Sequence, residues 1–294
     1  MCRHLAYLGP AATLRSVIID PPHGLYQQAW APRYQRRGAI NADGFGVGWY
    51  PADDLDPVRY RQAVPIWADE SFYEISAVTR AGAILGAVRN ATPRTSHGAA
   101  AAAPFRHGPW LFSHNGAVND WPESTAALAA TLPAVSLLEL EARVDSALVW
   151  ALVLHRLDKG LAPAEALADT AEALHAAGVT GRFNFLLTDG RTIAATTAGH
   201  TLYYRCAPGS VTVASEPGDD EGGWIEIPRD GSLVTATPEE VKVTRLPALN
   251  AIIAGTATAH ETPEVLERPA GSPPPGAPIS QQPQMEGSRS LDPH

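Results

Sequence analysis

Cys2 carries the greatest chemical potential in the chain. If Met1 is removed, one residue joins a thiol to a free α-amine, and that amine ordinarily titrates near ~8, so part of it is a free base at neutral pH. A terminal amine is a known activator of a nucleophile on the same residue. Position alone leaves plainer readings open: a small residue near a chain end, or with His4 half of a metal site, for which no second pair follows at ligand spacing. Acyl transfer also needs donors for an oxyanion, and Asn115-Gly116 offers a side-chain amide beside a backbone N–H. The same dipeptide more often marks a hairpin turn. Arg89 can fork onto a carboxylate or pair at the surface. Asp145 can hold an ammonium group or simply cap a helix. Singly, each has an ordinary structural role.

Short apolar runs and turn signals suggest what must position these residues. Gly44–Tyr50, Ala83–Val88 and Trp110–His114 read as buried strands, the last ending at a turn formed by Asn115-Gly116. Asp189-Gly190 between Phe183–Thr188 and Thr192–Thr197 predicts a two-residue hairpin. Further strands are expected at Thr201–Arg205, Val211–Ser215 and Ser232–Thr237. Asp145-Ser146 opens a helix running to His155, Pro163 opens a second that stops at Gly178, and Ser71–Arg80 is a weaker third. Strands do not alternate with helices. The expectation is an α+β fold of packed antiparallel sheets flanked by helices.

The whole chain sets outer bounds. It has 294 residues, 45% hydrophobic, with 22 basic against 31 acidic side chains and a net charge of -9, which disfavours a nucleic-acid surface. Two cysteines cannot staple a chain of this length, so the fold must rest on its own core. No secretory signal and no apolar run long enough for a membrane helix is visible, and a cytoplasmic protein is expected. Residues 255–294 hold eight prolines and no Phe, Trp or Tyr, a composition that predicts a Pro-rich disordered tail behind a functional domain of residues 2–250.

Taken together, the candidate residues match a family. Met1-Cys2-Arg3-His4-Leu5, Arg37-Gly38 with Asn41–Tyr50, Arg89-Asn90-Ala91-Thr92, Pro104-Phe105, His114-Asn115-Gly116 and Val144-Asp145-Ser146 resemble class II glutamine amidotransferases. These are N-terminal-nucleophile (Ntn) hydrolases, and the likeness implies a four-layer αββα sandwich. It further implies Cys2 as nucleophile with its own α-amine as base, Asn115 and the Gly116 amide as oxyanion hole, Arg89 and Thr92 on a substrate α-carboxylate, and Asp145 on its α-ammonium. Arg37-Gly38 would shape the floor of the site. No metal and no cofactor is implied, and the partner is a small γ-glutamyl molecule; oligomeric state stays open. Ala31-Pro32-Arg33, Pro65-Ile66-Trp67, Leu186–Gly190 and Ala214-Ser215-Glu216-Pro217 are similar to the ergothioneine-pathway branch, whose reaction releases glutamate from a γ-glutamyl conjugate.

Two departures from the family pattern stand out: Pro93 follows the Arg89–Thr92 element where many relatives have His, and Ala99–Ala103 replaces polar residues ahead of Pro104. Because the hydrolase takes up about 250 residues, a stand-alone hydrolase is expected in preference to a glutaminase subunit feeding ammonia to a synthase. A hydrolase of another γ-glutamyl compound and a catalytically idle binding module remain alternatives. His4, Tyr7, Trp49, Trp67, Phe72 and Tyr73 are expected mainly as packing, with a cation–π role for some if the leaving group is a trimethylammonium compound. Cys206 is expected to be a small buried hydrophobe.

Overall fold

The structure is a computed structural model and describes residues 2–35, 40–51, 56–92 and 95–257. Its strands are β1 (Arg3–Thr13), β2 (Phe45–Trp49), β3 (Val58–Gln62), β4 (Arg80–Val88), β5 (Phe105–His107), β6 (Trp110–Val118), β7 (Gly181–Thr188), β8 (Ile193–Ala198), β9 (Tyr203–Ala207), β10 (Ser210–Ala214), β11 (Ile225–Glu226), β12 (Asp230–Ala236) and β13 (Val241–Arg245). The helices are α1 (Leu14–Ile18), α2 (Leu25–Gln28), α3 (Glu70–Val78), α4 (Ala126–Ala129), α5 (Ala134–Leu138), α6 (Asp145–Leu157), α7 (Pro163–Ala176) and α8 (Pro247–Ala257).

Seven strands form one sheet in the order β11-β9-β10-β1-β4-β2-β3, and six form a second in the order β13-β12-β8-β7-β6-β5. The period-2 alternation of strand side chains then builds three cores. On β1, Ala6 and Leu8 point between the sheets, where they meet Leu111, Leu186 and Ile193. Leu5, on the opposite face, joins Leu14, Ile18, Leu25 and Phe72 of the helices outside the first sheet. Phe112, Phe183 and Phe185 face outward from the second sheet onto Leu148, Leu152 and Leu167 of α6 and α7 and Leu249 of α8. The result is a four-layer αββα sandwich.

A hairpin forms between β7 and β8, but Thr188 pairs with Ile193, so its loop is the four residues Asp189–Thr192 and not the expected two; Asp189 Oδ1 holds it by accepting from Arg191 N and Thr192 N. Gly190 has φ +85, and a Cβ there would meet the Tyr50 ring at 2.7 Å, so both backbone and packing require glycine. The helices opened by Asp145 and Pro163 also form. The weak third helix forms as α3, capped by the Asp69 side chain on Phe72 N, but ends at Val78 because Arg80 already begins β4.

Two further expectations are overturned. Asn115-Gly116 is not a turn: β6 continues to Val118, with Asn115 opposite Asn184 and Gly116 opposite Phe183. Cys206 is exposed, because it sits on β9, whose far neighbour β11 covers only Tyr203 and Tyr204. Arg37, Gly38, Pro93 and the segment 258–294, which holds every proline of the expected tail, lie outside the described residues. Among the described residues no helix is long and apolar enough to cross a membrane.

Candidate active site

β1 and β4 are antiparallel with Arg3 opposite Val88, so the next step along the register sets Cys2 opposite Arg89 at the end of the first sheet. Cys2 is half-buried. Its Sγ lies 4.0 Å from Asn90 O, and its N donates to Asn115 Oδ1 of the second sheet at 3.3 Å. The nucleophile candidate and the oxyanion candidate, 113 residues apart in sequence, are thus direct neighbours across the sandwich.

Asn115 is fully buried and its amide is oriented from both sides. Oδ1 takes the Cys2 N–H, while Nδ2 donates to Ser215 Oγ at 3.3 Å. Ser215 is itself fixed: Oγ accepts from His4 N at 3.0 Å, and Ser215 N donates to His4 O at 2.9 Å. That leaves the second Nδ2 hydrogen of Asn115 for another acceptor. Strand alternation assigns the neighbouring donor. Val118 N points off the β6 edge to Asp145 Oδ2 at 2.9 Å, so Gly116 N, two residues earlier, points off the same edge. β5 pairs with β6 from Trp110 to Phe112, so among the described residues no strand lies on that edge beside Gly116.

Two buried charges flank this centre. Arg89 is 8% exposed, and among the described residues its guanidinium donates to neutral oxygens: Thr95 Oγ1 at 3.2 Å, Ser96 O at 2.9 Å and Asp43 O at 3.4 Å. Thr95 Oγ1 in turn donates to Thr92 O at 2.6 Å, tying Thr92 into the same loop. Asp145 is 3% exposed; its carboxylate takes Val118 N, Ser146 N at 2.7 Å and Ser146 Oγ at 3.2 Å. Asp145 opens α6, where the helix dipole favours a negative charge. Neither residue forms an ion pair among the described residues. A buried cation and a buried anion near Cys2 and Asn115 thus each lack an opposite charge among the described residues, and a zwitterionic amino-acid head group would complete both.

The interior behind the site holds neutral histidines. Burial, aided by the Arg3 charge, pushes the His4 pKa well below its ordinary value, and His200 is shifted the same way by burial with Arg3 and Arg182. His114 is also lowered, burial outweighing the nearby Asp145 carboxylate. Its Nε2 faces Arg182 O at 2.8 Å; a carbonyl only accepts, so Nε2 carries the proton, and the one Ser146 hydroxyl proton is shared between His114 Nδ1 at 3.1 Å and Asp145 Oδ1 at 3.2 Å. His4 Nδ1 faces Ser113 Oγ at 3.1 Å, and among the described residues no group of three His, Cys, Asp or Glu could hold a metal ion.

The match with known sequences decides the family. The model of the class II glutamine amidotransferases matches residues 28–216. The chain belongs to the class II glutamine amidotransferase family. Two curated relatives, both named gamma-glutamyl-hercynylcysteine sulfoxide hydrolase, are similar over nearly their whole length. The Mycobacterium tuberculosis protein is 40% identical, covering 84% of this chain and 97% of the relative. The Mycolicibacterium smegmatis protein is 39% identical over 84% of this chain and all of its own length. Among solved structures, a glutamine aminotransferase class-II domain protein from Silicibacter pomeroyi superposes with a TM-score of 0.59 at 24% identity, covering 83% of this chain and 99% of that one. The glutamine phosphoribosylpyrophosphate amidotransferase of B. subtilis gives a TM-score of 0.57 at 15% identity, covering 83% of this chain and 49% of that one. These structural likenesses place the amidotransferase domain in the Ntn-type fold.

The structure gathers Cys2, Asn115, Gly116, Arg89 and Asp145 at one end of the sandwich, with Thr92 in the adjoining loop. Several residues that shape the site carried no chemical signal in the sequence. Ser215 stood only within the Ala214–Pro217 motif, and Thr95 and Ser146 are ordinary hydroxyls until their partners are seen. Of the aromatic candidates, Phe72 is core, packed on Phe45 and Tyr60. Trp67 stands edge-on to Trp30, and Arg15 lies over the Tyr73 ring.

Proposed function

We propose that this amidotransferase-family chain hydrolyses a γ-glutamyl amide, with Cys2 as nucleophile once Met1 has been removed. The free α-amine takes the thiol proton, directly or through a water, and Sγ attacks the γ-carbonyl carbon. The oxyanion is held by the second Nδ2 hydrogen of Asn115 and by Gly116 N–H. As the C–N bond breaks, the terminal ammonium gives its proton to the leaving amine, and a γ-glutamyl thioester remains on Cys2. Water, deprotonated by the same amine, then cleaves the thioester to release glutamate and restore the thiol. Arg89 with Thr92 binds the α-carboxylate, and Asp145 binds the α-ammonium. All of these are groups of the chain itself.

The observation that carries this reading is the 3.3 Å contact of Cys2 N with Asn115 Oδ1, near the buried Arg89 and Asp145, neither of which forms an ion pair among the described residues. The substrate proposed is γ-L-glutamyl-hercynylcysteine S-oxide, giving glutamate and hercynylcysteine S-oxide. The support is the name shared by relatives that match at 40% and 39% identity across almost their full length. The cytoplasm, where the free thiols of Cys2 and Cys206 stay reduced, is the proposed setting.

Glutamine presents the same head group, so a glutaminase would use the same Arg89 and Asp145 contacts. Glutamate release from a panel of γ-glutamyl compounds separates the two. The expected result is kcat/KM for the sulfoxide conjugate at least about 100-fold above that for glutamine, a difference near ~2.7 kcal/mol in transition-state binding. Equal rates, or a preference for glutamine, would overturn the substrate assignment while leaving the nucleophile in place.

A further inference from the structure

We propose that Glu141, held by Arg59 and Arg61, is a positioning residue that sets the spacing between Arg89 and Asp145. Given the hydrolase reading and the head-group roles proposed above for those two residues, that spacing decides how well a substrate's α-carboxylate and α-ammonium are bound together. Arg89 directly follows β4 of the first sheet, whereas Asp145 opens α6, which packs on the second. Their separation therefore depends on what fastens the two halves of the sandwich to each other.

Glu141 stands four residues ahead of Asp145, yet its carboxylate pairs with β3 of the first sheet. Arg59 grips it with two parallel hydrogen bonds, Nη1 to Oε1 and Nη2 to Oε2, each 2.8 Å, the strong bidentate geometry. Arg61 Nη2 adds a third, to Oε2 at 2.8 Å. Two residues apart on one strand, both arginines leave the same face of β3. Opposite them on β2 stand Gly48 and Gly46. A Cβ on Gly46 would collide with Ala103 O, so glycine there lets the Ala99–Ala103 chain lie against the sheet. The arginines tie that chain down as well. Arg61 Nη1 donates to Ala100 O and Ala102 O, each at 3.2 Å, and Arg59 Nη1 to Pro104 O at 3.2 Å. The alanine run that departs from the family pattern is thus held through its carbonyls.

A backbone tie completes the link. Ser96 N donates to Arg143 O at 3.1 Å, and Ser96 O accepts from the Arg89 guanidinium at 2.9 Å. The segment 141–145 therefore meets the Arg89 site at Ser96 and the first sheet at Glu141. Burial by itself raises the Glu141 pKa, but Arg59 and Arg61 outweigh it and hold the carboxyl below its ordinary value, so the clamp is charged at neutral pH. Without that charge two half-buried guanidiniums face each other and repel, and the segment loses its hold on β3. Cys2 and Asn115 are held by other partners, so the effect belongs to substrate binding and not to the chemical step.

The test is steady-state hydrolysis of the γ-glutamyl substrate by the full chain and its variants. Glu141→Gln and Arg59→Gln should each raise KM about tenfold with kcat within about twofold, the mark of lost head-group binding. The double variant should be no worse than either single one, because both remove the same contact. Asp169→Asn breaks the Arg156–Asp169 ion pair at the far end of α6 and should leave both parameters unchanged. Should Glu141→Gln fail to fold, Arg59→Gln decides alone by the same criterion. An unchanged KM, a fall in kcat in its place, effects that multiply in the double variant, or an equal rise in Asp169→Asn would overturn the assignment while leaving the hydrolase reading intact. A wild-type chain that releases glutamate from no γ-glutamyl compound would remove that reading, and the assignment with it.

Discussion

Asn115 is the residue on which the two sheets depend for a common site. Its amide has four hydrogen-bonding positions; Cys2 N and Ser215 Oγ occupy two, and the proposed mechanism assigns the second Nδ2 hydrogen to the oxyanion. Ser215 fixes which end of the amide faces Cys2. With no Ser215 acceptor the amide is free to rotate, although its chemistry is unchanged. Asn115→Ala is therefore expected to lower kcat by about 100- to 1,000-fold with little change in KM, the usual cost of one lost oxyanion donor. Ser215→Ala should lower kcat by a smaller factor, about tenfold, on the same assay. A rise in KM with kcat intact for Asn115→Ala would mean that the side chain binds ground state and not oxyanion. Arg89 and Asp145 belong to the same scale: each is a buried charge that forms no ion pair among the described residues, and residue type suggested both, as it did Cys2 and Asn115-Gly116.

β6 is the element that joins substrate chemistry to fold. It sets Asn115 toward the other sheet, Gly116 N off the open edge and Val118 N onto Asp145 within four residues. Gly116 cannot be replaced. A Cβ there would run into Arg182 O on β7 and His114 Nε2, both held in the β6–β7 ladder or its hydrogen bonds. Gly116→Ala is expected to cost about 3 kcal/mol, an overpacking penalty against backbone, and to lower Tm by roughly 6–12 °C; thermal unfolding followed by circular dichroism checks it. An unchanged Tm would mean that β6 and β7 separate there at no cost.

The same strand shows what sequence could and could not tell. The apolar run Trp110–Phe112 was legible, but a polar Ser-His-Asn-Gly stretch reads as a strand ending, because its burial comes from tertiary partners: Ser113 on His4, His114 on Ser146, Asn115 on Cys2 and Ser215. β1 was illegible for the same reason, since its first two residues, Arg3 and His4, are polar yet fully buried. The Asp189-Gly190 hairpin and the helices after Asp145 and Pro163 were legible because local backbone chemistry decides them. β13, exposed along Lys242–Arg245, and α8, whose Leu249 and Ile252 find their core only when the second sheet is in place, gave no local signal of comparable strength.

At the scale of the whole molecule, the space between the sheets and around β6 stores neutral imidazoles. His4, His114 and His200 are buried, and each is shifted below its ordinary pKa, chiefly by burial. In the unfolded chain the same groups take up protons near pH ~6.5. Below that pH the folded state binds fewer protons than the unfolded state, so stability must fall with falling pH, by up to about 1.4 kcal/mol per pH unit for each histidine fully held neutral. Urea midpoints should be nearly constant from pH 7.5 to 7 and decline steadily from 6.5 toward 5.5. A midpoint unchanged or raised at pH 5.5 would show that these imidazoles gain compensating partners on protonation. The central claim, however, is that the sandwich exists to hold one amino-terminal sulfur against an oxyanion site. Its most direct test is peptide mapping by mass spectrometry after acid quenching of the enzyme during turnover of the γ-glutamyl substrate. The account predicts an amino-terminal peptide that begins at Cys2 and carries a γ-glutamyl group on its sulfur; Met1 retained in fully active enzyme, or the acyl group on any other residue, would contradict it.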